Sequence, residues 1–294
     1  MSPDTRYCSP IDLHCHSTAS DGALTPAAVV VRAAAQGVRV LALTDHDTVD
    51  GIDEAARAAT SHGVHLIPAA ELSCQWQGRE LHVVGLGIDP AAGSLREGLA
   101  RVRELRKARL KEILRKLARA GIDDLGNDPR DLAGGGMPTR MHIARALVGA
   151  GHVSSLQRAF DRYLRRGRPA WVRPRWPEMR EVITLIRRGG GRAVLAHPLA
   201  YGMTGAWLRR TLEAFRDAGG EGVEVVCGNT DRQRISTATG QALRAGLLGS
   251  VGSDFHDPDN PWIELGRLQR LPSSVTPVWR HWPEVAERME AAAH

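Results

Sequence analysis

The chain has 294 residues and a formal net charge of +6. That length suits one large α/β domain, or a domain with an insertion, with a core large enough to need no disulfide. The four cysteines (Cys8, Cys15, Cys74, Cys227) form no CxxC pair, Met1 to Pro10 holds no apolar h-region, and no stretch approaches about 18 apolar residues, which argues against a disulfide scaffold, a secretory leader and a membrane span and predicts a protein of the reducing cytoplasm.

In chain order, the first predicted element is a short strand at 11–13 running into His14-Cys15-His16. Thr25-Pro26 has the chemistry of a helix start, a capping hydroxyl followed by a proline whose missing N–H costs nothing there, and a helix is predicted to Gln36 with Gly37 as its stop. Val38 to Leu43 is a near-continuous apolar run, the pattern of a strand buried on both faces, and it ends in Thr44-Asp45-His46-Asp47. A helix over 52–62 and a strand over 64–70 ending at Glu71 follow. This βαβαβ rhythm predicts parallel strands with candidate ligands at their carboxyl ends. Residues 72–75 and 80–88 are predicted to pair as a hairpin across Gln77-Gly78, with His82 near the start of a strand.

The longest helical pattern runs from Leu95 to Ala120, with an apolar stripe of Leu99, Val102, Leu105, Leu110, Ile113, Leu114 and Leu117. A glycine-rich loop over 128–138 leads to predicted helices at 139–150 and 154–165 and a linker at 166–177. The α/β rhythm resumes with a helix at 178–188, a strand at 193–196 closed by His197-Pro198, a helix at 207–218 and a strand at 222–227. A helix at 232–245, a strand at 247–251 entering Gly252-Ser253-Asp254-Phe255-His256, and a helix at 283–293 complete the chain. Residues 96–176 hold 20 Lys+Arg against 8 Asp+Glu, and the remainder holds 19 against 25. We therefore read 96–176 as a basic helical insertion, suited to a polyanion, between the two halves (10–95 and 177–294) of an acidic α/β unit suited to cations.

Side chains two apart on a strand point the same way, so His14 with His16, and Asp254 with His256, are each presented as a pair. Histidine and carboxylate together suit borderline to hard divalent ions. Six of the twelve histidines fall in such strand-end contexts, with three carboxylates beside them. The same alternation turns Cys15 away from the ligands, as a packing residue. No histidine is left free as a base for Ser17, Ser20 or Ser253, so a serine triad is not expected. A bound metal lowers the pKa of water from about 15.7 to about 7, so hydrolysis of a phosphate ester needs no side-chain nucleophile.

The order His-x-His, Thr-Asp-His-Asp, Glu, His, His-Pro, Ser-Asp-Phe-His resembles the polymerase and histidinol phosphatase (PHP) superfamily. The stretches from Asp12 to Gly22, Leu43 to Thr48 and Gly252 to His256 are similar to its branch of 3′,5′-nucleotide bisphosphate phosphatases that also act as 5′-to-3′ exoribonucleases. The resemblance implies a distorted (β/α)7 barrel and three divalent ions, manganese first, with zinc, iron or magnesium as alternatives. Carried over, His14, His16, Glu71 and Asp254 hold one ion, Asp21, His46 and His256 a second, and Glu71 bridges to a third that is also held by His82 and His197. A hydroxide bridging the metals, held through Glu71, Asp254 and His256, is then expected to attack phosphorus in line. Asp45 and Asp47 are left as supporting or structural residues, one of them a candidate for orienting a ligand histidine.

On the substrate side, Thr139-Arg140-Met141-His142 opens a predicted helix, and a helix start carrying an arginine is an anion site. Arg140 and His142 are the candidates for a second phosphate. Arg168, Arg173 and Arg175 with Trp171 and Trp176 have the composition that tracks a backbone and stacks a base. The expected substrate is a nucleotide or short RNA, with no membrane and no obligate protein partner. Two alternatives are a phosphatase for a small monoester in the manner of histidinol phosphate, and a non-catalytic metal-dependent RNA-binding module.

Overall fold

The structure is a computed structural model and describes residues 8–291. Seven strands, β1 (Ile11–Cys15), β2 (Val40–Leu43), β3 (His65–Trp76), β4 (Arg79–Leu86), β5 (Arg192–Leu195), β6 (Gly222–Cys227) and β7 (Leu248–Gly252), lie side by side in sequence order. Ten α-helices are present among the described residues: α1 (Pro26–Ala35), α2 (Ile52–His62), α3 (Gly93–Arg119), α4 (Pro129–Leu132), α5 (Arg140–Gly149), α6 (Leu156–Ala159), α7 (Met179–Arg188), α8 (Gly205–Asp217), α9 (Arg232–Ala245) and α10 (Pro283–Ala291). The sheet curls until its last strand meets its first. His16 N donates to Phe255 O at 2.8 Å and Asp254 N donates to His14 O at 2.8 Å. This near-closure covers most of the sheet's two edges and gathers the strand ends at one rim.

The expected α/β barrel is therefore present, with one departure from a uniformly parallel sheet. β4 runs antiparallel to both β3 and β5, while the other neighbours are parallel. The reversal follows from the tight Gln77-Gly78 turn, in which both residues adopt positive φ (50° and 72°); two residues join antiparallel strands, whereas a parallel pair needs a crossover. The turn also accounts for the place of His82, which lies in the first half of β4, opposite Ser73 on β3, because β4 runs against its neighbours.

The strands are filled with Val, Leu, Ile and Ala because both faces are covered, one by the barrel interior and one by helices. Leu13, Val40, Ala42, Leu72, Val83, Val194, Val225 and Val251 are all at most 1% exposed and belong to one continuous core. A separate apolar cluster joins the distal half of α3 to α5 and α6 through Leu110, Ile113, Leu117, Ile143 and Leu147. The helix expected over 154–165 is instead the single turn α6 followed by a π-helical turn at Phe160–Leu164. The last helix ends at Ala291, and residues 292–293 of the expected element lie outside the described residues.

Candidate metal centre

Each strand that ends at the rim delivers one or two polar side chains from an apolar run. β1 ends in His14 and His16, both fully buried. β2 is followed by His46, β3 carries Glu71, β5 is followed by His197, and β7 by Asp254 and His256. Asp21 comes from the loop after β1. That loop is held by Asp45, which accepts hydrogen bonds from Ser17 N (2.7 Å), Ser17 Oγ (2.6 Å) and Ser20 Oγ (2.6 Å). Backbone strain is concentrated here. Of the four non-glycine residues with positive φ among the described residues, two are His197 (30°) and Asp254 (57°), conformations that persist only where the surroundings impose them.

Glu71 is the hub. Its Oε2 lies 3.4 Å from His14 Nε2, 3.4 Å from His16 Nε2 and 2.9 Å from His46 Nδ1. Its Oε1 lies 3.0 Å from His82 Nδ1 and 2.9 Å from His197 Nε2. Asp254 Oδ1 lies 3.5 Å from His14 Nε2 and 3.3 Å from His16 Nε2. Asp21 faces His256 at 3.4 Å and His46 at 3.9 Å. All nine residues singled out in the sequence as ligands are thus brought together. The donor atoms of seven of them fall into three overlapping groups, His14-His16-Glu71, His16-Asp21-His46-His256 and His46-Glu71-His82, within each of which all donors lie within 4.8 Å of one another. The partition differs from the expected one in that His16 and His46 each belong to two groups, while Asp254 and His197 touch the cluster through His14, His16 and Glu71 without belonging to a group.

The chemistry of this cluster fits bound cations. Glu71 Oε2 is buried and has no hydrogen-bond donor, although imidazole nitrogens surround it. The Nε2 atoms of His14 and His16 face each other at 3.1 Å. At that distance either one nitrogen donates a proton to the other or a cation takes both lone pairs. The electrostatics agree. Burial opposes charge on Glu71 and Asp21, yet the surrounding imidazoles hold both carboxyls well below their usual range. Burial also opposes charge on His256, but Asp21 and Asp254 push it up to about 10. Burial, with His256 and His46 alongside, holds His16 down at about 3 and so keeps it a neutral donor.

Two carboxylates outside the ligand set organise it, and neither stood out in the sequence. Glu224, 2% exposed on β6, accepts from His14 Nδ1 at 2.6 Å through Oε1 and from His197 N at 2.6 Å through Oε2. Asp12 on β1 accepts from Ser253 N at 2.8 Å and Gly266 N at 3.0 Å, which seats the segment carrying Asp254. The available signal was a single acid inside each apolar strand. Of the two roles open to Asp45 and Asp47, the structural one holds for both, and neither hydrogen-bonds a histidine. Asp45 holds the Ser17–Ser20 loop, and Asp47 accepts from Ser73 N at 2.7 Å and from Arg106.

A cavity of about 180 Å³ opens from the cluster toward α3 and α5. It is lined by Asp21, His46, His82 and His256 on one side and by Arg106, Arg109, Arg140 and Trp176 on the other. Arg140 reaches it from the first turn of α5 and lies 3.4 Å from Glu80, which also holds Arg109 at 3.1 Å and Trp176 Nε1 at 2.7 Å. Nε and Nη2 of Arg109 are buried without a hydrogen-bond partner. The sequence reading missed Arg109, which is spaced with Arg106 along the buried side of α3. His142, paired with Arg140 in the sequence reading, turns inward instead. Its Nδ1 accepts from Thr139 N at 3.0 Å in a capping box, and it lines no part of the cavity. Trp176 is 2% exposed and closes the cavity wall, with the guanidinium groups of Arg106 and Arg109 over its ring.

A closed α/β barrel with nine imidazole and carboxylate donors at one rim, beside an arginine-lined cavity, defines the class of metal-dependent hydrolases of anionic substrates. The chain belongs to the PHP family. The family's PHP domain model matches residues 12–130. The chain is 48% identical over 269 residues to the 5′-3′ exoribonuclease of Haemophilus influenzae, covering 91% of this chain and 97% of that one. It is 40% identical over 271 residues to the 3′,5′-nucleoside bisphosphate phosphatase of Chromobacterium violaceum, covering 92% and 95%. Among solved structures, an amidohydrolase from Chromobacterium violaceum with bound sulfate superposes with a TM-score of 0.86 at 38% identity, over 94% of this chain and 96% of that one.

Proposed function

We propose that the chain is a metal-dependent phosphoesterase that removes the 3′-phosphate from nucleoside 3′,5′-bisphosphates and degrades short RNA from its 5′ end. The observation that carries this reading is a cavity that opens directly onto the ligand cluster and is lined by Arg106, Arg109 and Arg140. Guanidinium groups around such a cavity suit an anion, and a substrate with two phosphates supplies one to the cluster and one to the arginines. The names of the two relatives, and the sulfate bound in the similar solved structure, point the same way.

His14, His16, Asp21, His46, Glu71, His82, His197, Asp254 and His256 would hold up to three divalent ions, manganese by preference, with zinc, iron and magnesium as alternatives. Bound there, such ions supply Lewis acidity at the phosphoryl oxygens and make a nucleophilic water available near neutral pH. The chain's own contribution is positional. Glu71, reaching five histidines, ties the three donor groups into one centre. Arg109 and Arg140 hold the distal phosphate, so that the scissile one lies over the cluster, and Glu80 keeps the two guanidinium groups aimed. Both arginines come from the segment 96–176, which we read as a specificity insertion into the barrel formed by 10–95 and 177–294. The described helices include none long and apolar enough to cross a membrane, and the four cysteines are free thiols, in keeping with a place in the cytoplasm.

The test is a side-by-side assay of adenosine 3′,5′-bisphosphate, histidinol phosphate and a 5′-phosphorylated oligoribonucleotide, with each ion added back to stripped protein. Preference for the bisphosphate and the oligonucleotide is expected. Faster turnover of histidinol phosphate would replace this reading with a small-monoester phosphatase.

A further inference from the structure

A second, larger depression begins where the first cavity ends. It encloses about 750 Å³, shares Glu80 and Arg140 with the cavity at the ligand cluster, and runs outward between the β3–β4 turn and the segment 165–174. Its inner end is fixed to the metal centre through Tyr201. The Tyr201 ring packs tilted against that of His197, with 5.2 Å between centroids, and its hydroxyl accepts from His82 N at 2.9 Å. Its walls are strongly basic. Arg79, Arg165, Arg166 and Arg173 line it, and Glu80 is its only acid. Arg165 is paired with Asp161, but Arg166 and Arg173 are exposed and make no ion pair among the described residues. Arg79 is held over the Trp207 ring at 5.0 Å, and Trp171 lies half-buried in the opposite wall.

We infer that this depression is the track for the RNA chain beyond the scissile phosphate, with Arg166 and Arg173 on successive phosphates and Trp171 as the stacking surface for a base. The inference rests on the reading of the site as a phosphoesterase and adds how long substrates are told from short ones. A nucleoside bisphosphate ends inside the first cavity, with one phosphate on Arg109 and Arg140 and the other on the cluster. A longer chain must leave the cluster, and the depression, which meets the centre at Tyr201 beside His82 and His197, offers it unpaired cations and an aromatic surface. That combination, a basic groove interleaved with aromatics, holds single strands without regard to sequence. The arrangement corrects part of the sequence reading. Of the five residues named there, Arg173 and Trp171 line the track, Trp176 is buried in the cavity wall, and Arg168 and Arg175 line neither depression.

The experiment compares wild type with Arg166→Glu/Arg173→Glu on two substrates, adenosine 3′,5′-bisphosphate and a 5′-phosphorylated ten-nucleotide RNA. The expected result is a rise in KM of tenfold or more for the RNA, with kcat/KM for the bisphosphate within about twofold of wild type. Each lost phosphate contact lowers the slope of log affinity against log salt by about 0.7 for a single strand. Fluorescence anisotropy of the same RNA, labelled at its 3′ end, should therefore show a slope reduced by about 1.4. Equal losses on both substrates, or no loss on either, would overturn the track. If wild type hydrolyses neither substrate, the phosphoesterase reading falls, and the anisotropy slope still decides the track: an unchanged slope removes it.

Discussion

The carboxylate of Glu224 lies 2.6 Å from Nδ1 of His14, across 210 residues of sequence and with both side chains buried. A carboxylate only accepts, so Nδ1 carries the proton and Nε2 is the atom presented to the cluster. The other oxygen of Glu224 fixes the strained backbone of His197. Partners of this kind change metal affinity by 10–100-fold when lost. Glu224→Ala should weaken manganese binding by that factor in a chelator-competition titration, and Glu224→Gln, which keeps an acceptor oxygen, should weaken it less. Unchanged affinity in Glu224→Ala would show that His14 is oriented by packing alone.

Glu71→Ala should be the most damaging ligand substitution, because no other side chain touches five of the six cluster histidines. Removing it detaches His82 and His197 from the remaining donors. Loss of several kcal/mol of transition-state stabilisation corresponds to a fall in kcat of about a thousandfold or more. Metal content measured by mass spectrometry on the same preparation should fall in parallel. Wild-type turnover in Glu71→Ala would refute the proposed centre.

Arg109→Met and Arg140→Ala should each raise KM for a nucleoside 3′,5′-bisphosphate by about 10–100-fold, the worth of a hydrogen bond to a charged group. Neither should change KM for a 3′-monophosphate by more than about threefold. Equal effects on the two substrates would take the arginines out of the second-phosphate role.

Burial holds the His142 imidazole down at about 4, against an ordinary value of 6.5. Between those limits the unfolded chain takes up a proton that the folded chain refuses. The stability that depends on neutral His142 is complete above about pH 6.5 and is lost as the pH falls toward 4, with about 2 kcal/mol gone by pH 5. Urea midpoints at pH 7 and pH 5 should therefore drop further in wild type than in His142→Gln. An identical drop would mean that His142 carries no proton linkage. Activity should fall below about pH 6 for a separate reason, since protonated imidazoles release metal.

A Cβ at Gly252 would lie 2.2 Å from His14 Cβ and 2.9 Å from His14 N. Gly252→Ala should push β7 off β1 at the point where the barrel closes, costing about 1–3 kcal/mol. The melting temperature should fall by several degrees and metal affinity should fall with it. Gly149→Ala, with nothing within 4 Å of its added Cβ, is the matched control and should do neither.

Much of the centre was legible in the sequence because most of its ligands end an apolar run or follow one closely, Asp21 in a loop and His82 within β4 being the exceptions. A strand of Val, Leu and Ala buried on both faces has one obvious place for a histidine or a carboxylate, its carboxyl end, and the period of two along β1 presents His14 and His16 together whatever surrounds them. The order of strands and helices was likewise visible, since hydrophobic period, caps and glycine stops are local properties. What the tertiary structure alone decided is every relationship between side chains that are distant in the chain. Asp12 and Glu224 are single acids inside apolar strands, and only the closure of the barrel turns the first toward Ser253 and Gly266 and the second toward His14. Arg106 turns inward from α3 because Asp47 and Ser73 wait there with acceptors, and Arg109 lines the cavity with its guanidinium held by Glu80 of β4. His142 looked like an anion ligand and became a helix cap, because the nearest unsatisfied donor was the backbone of Thr139. Local chemistry determines which residues are able to act, and the folded contacts determine which atom of each is left free to do so.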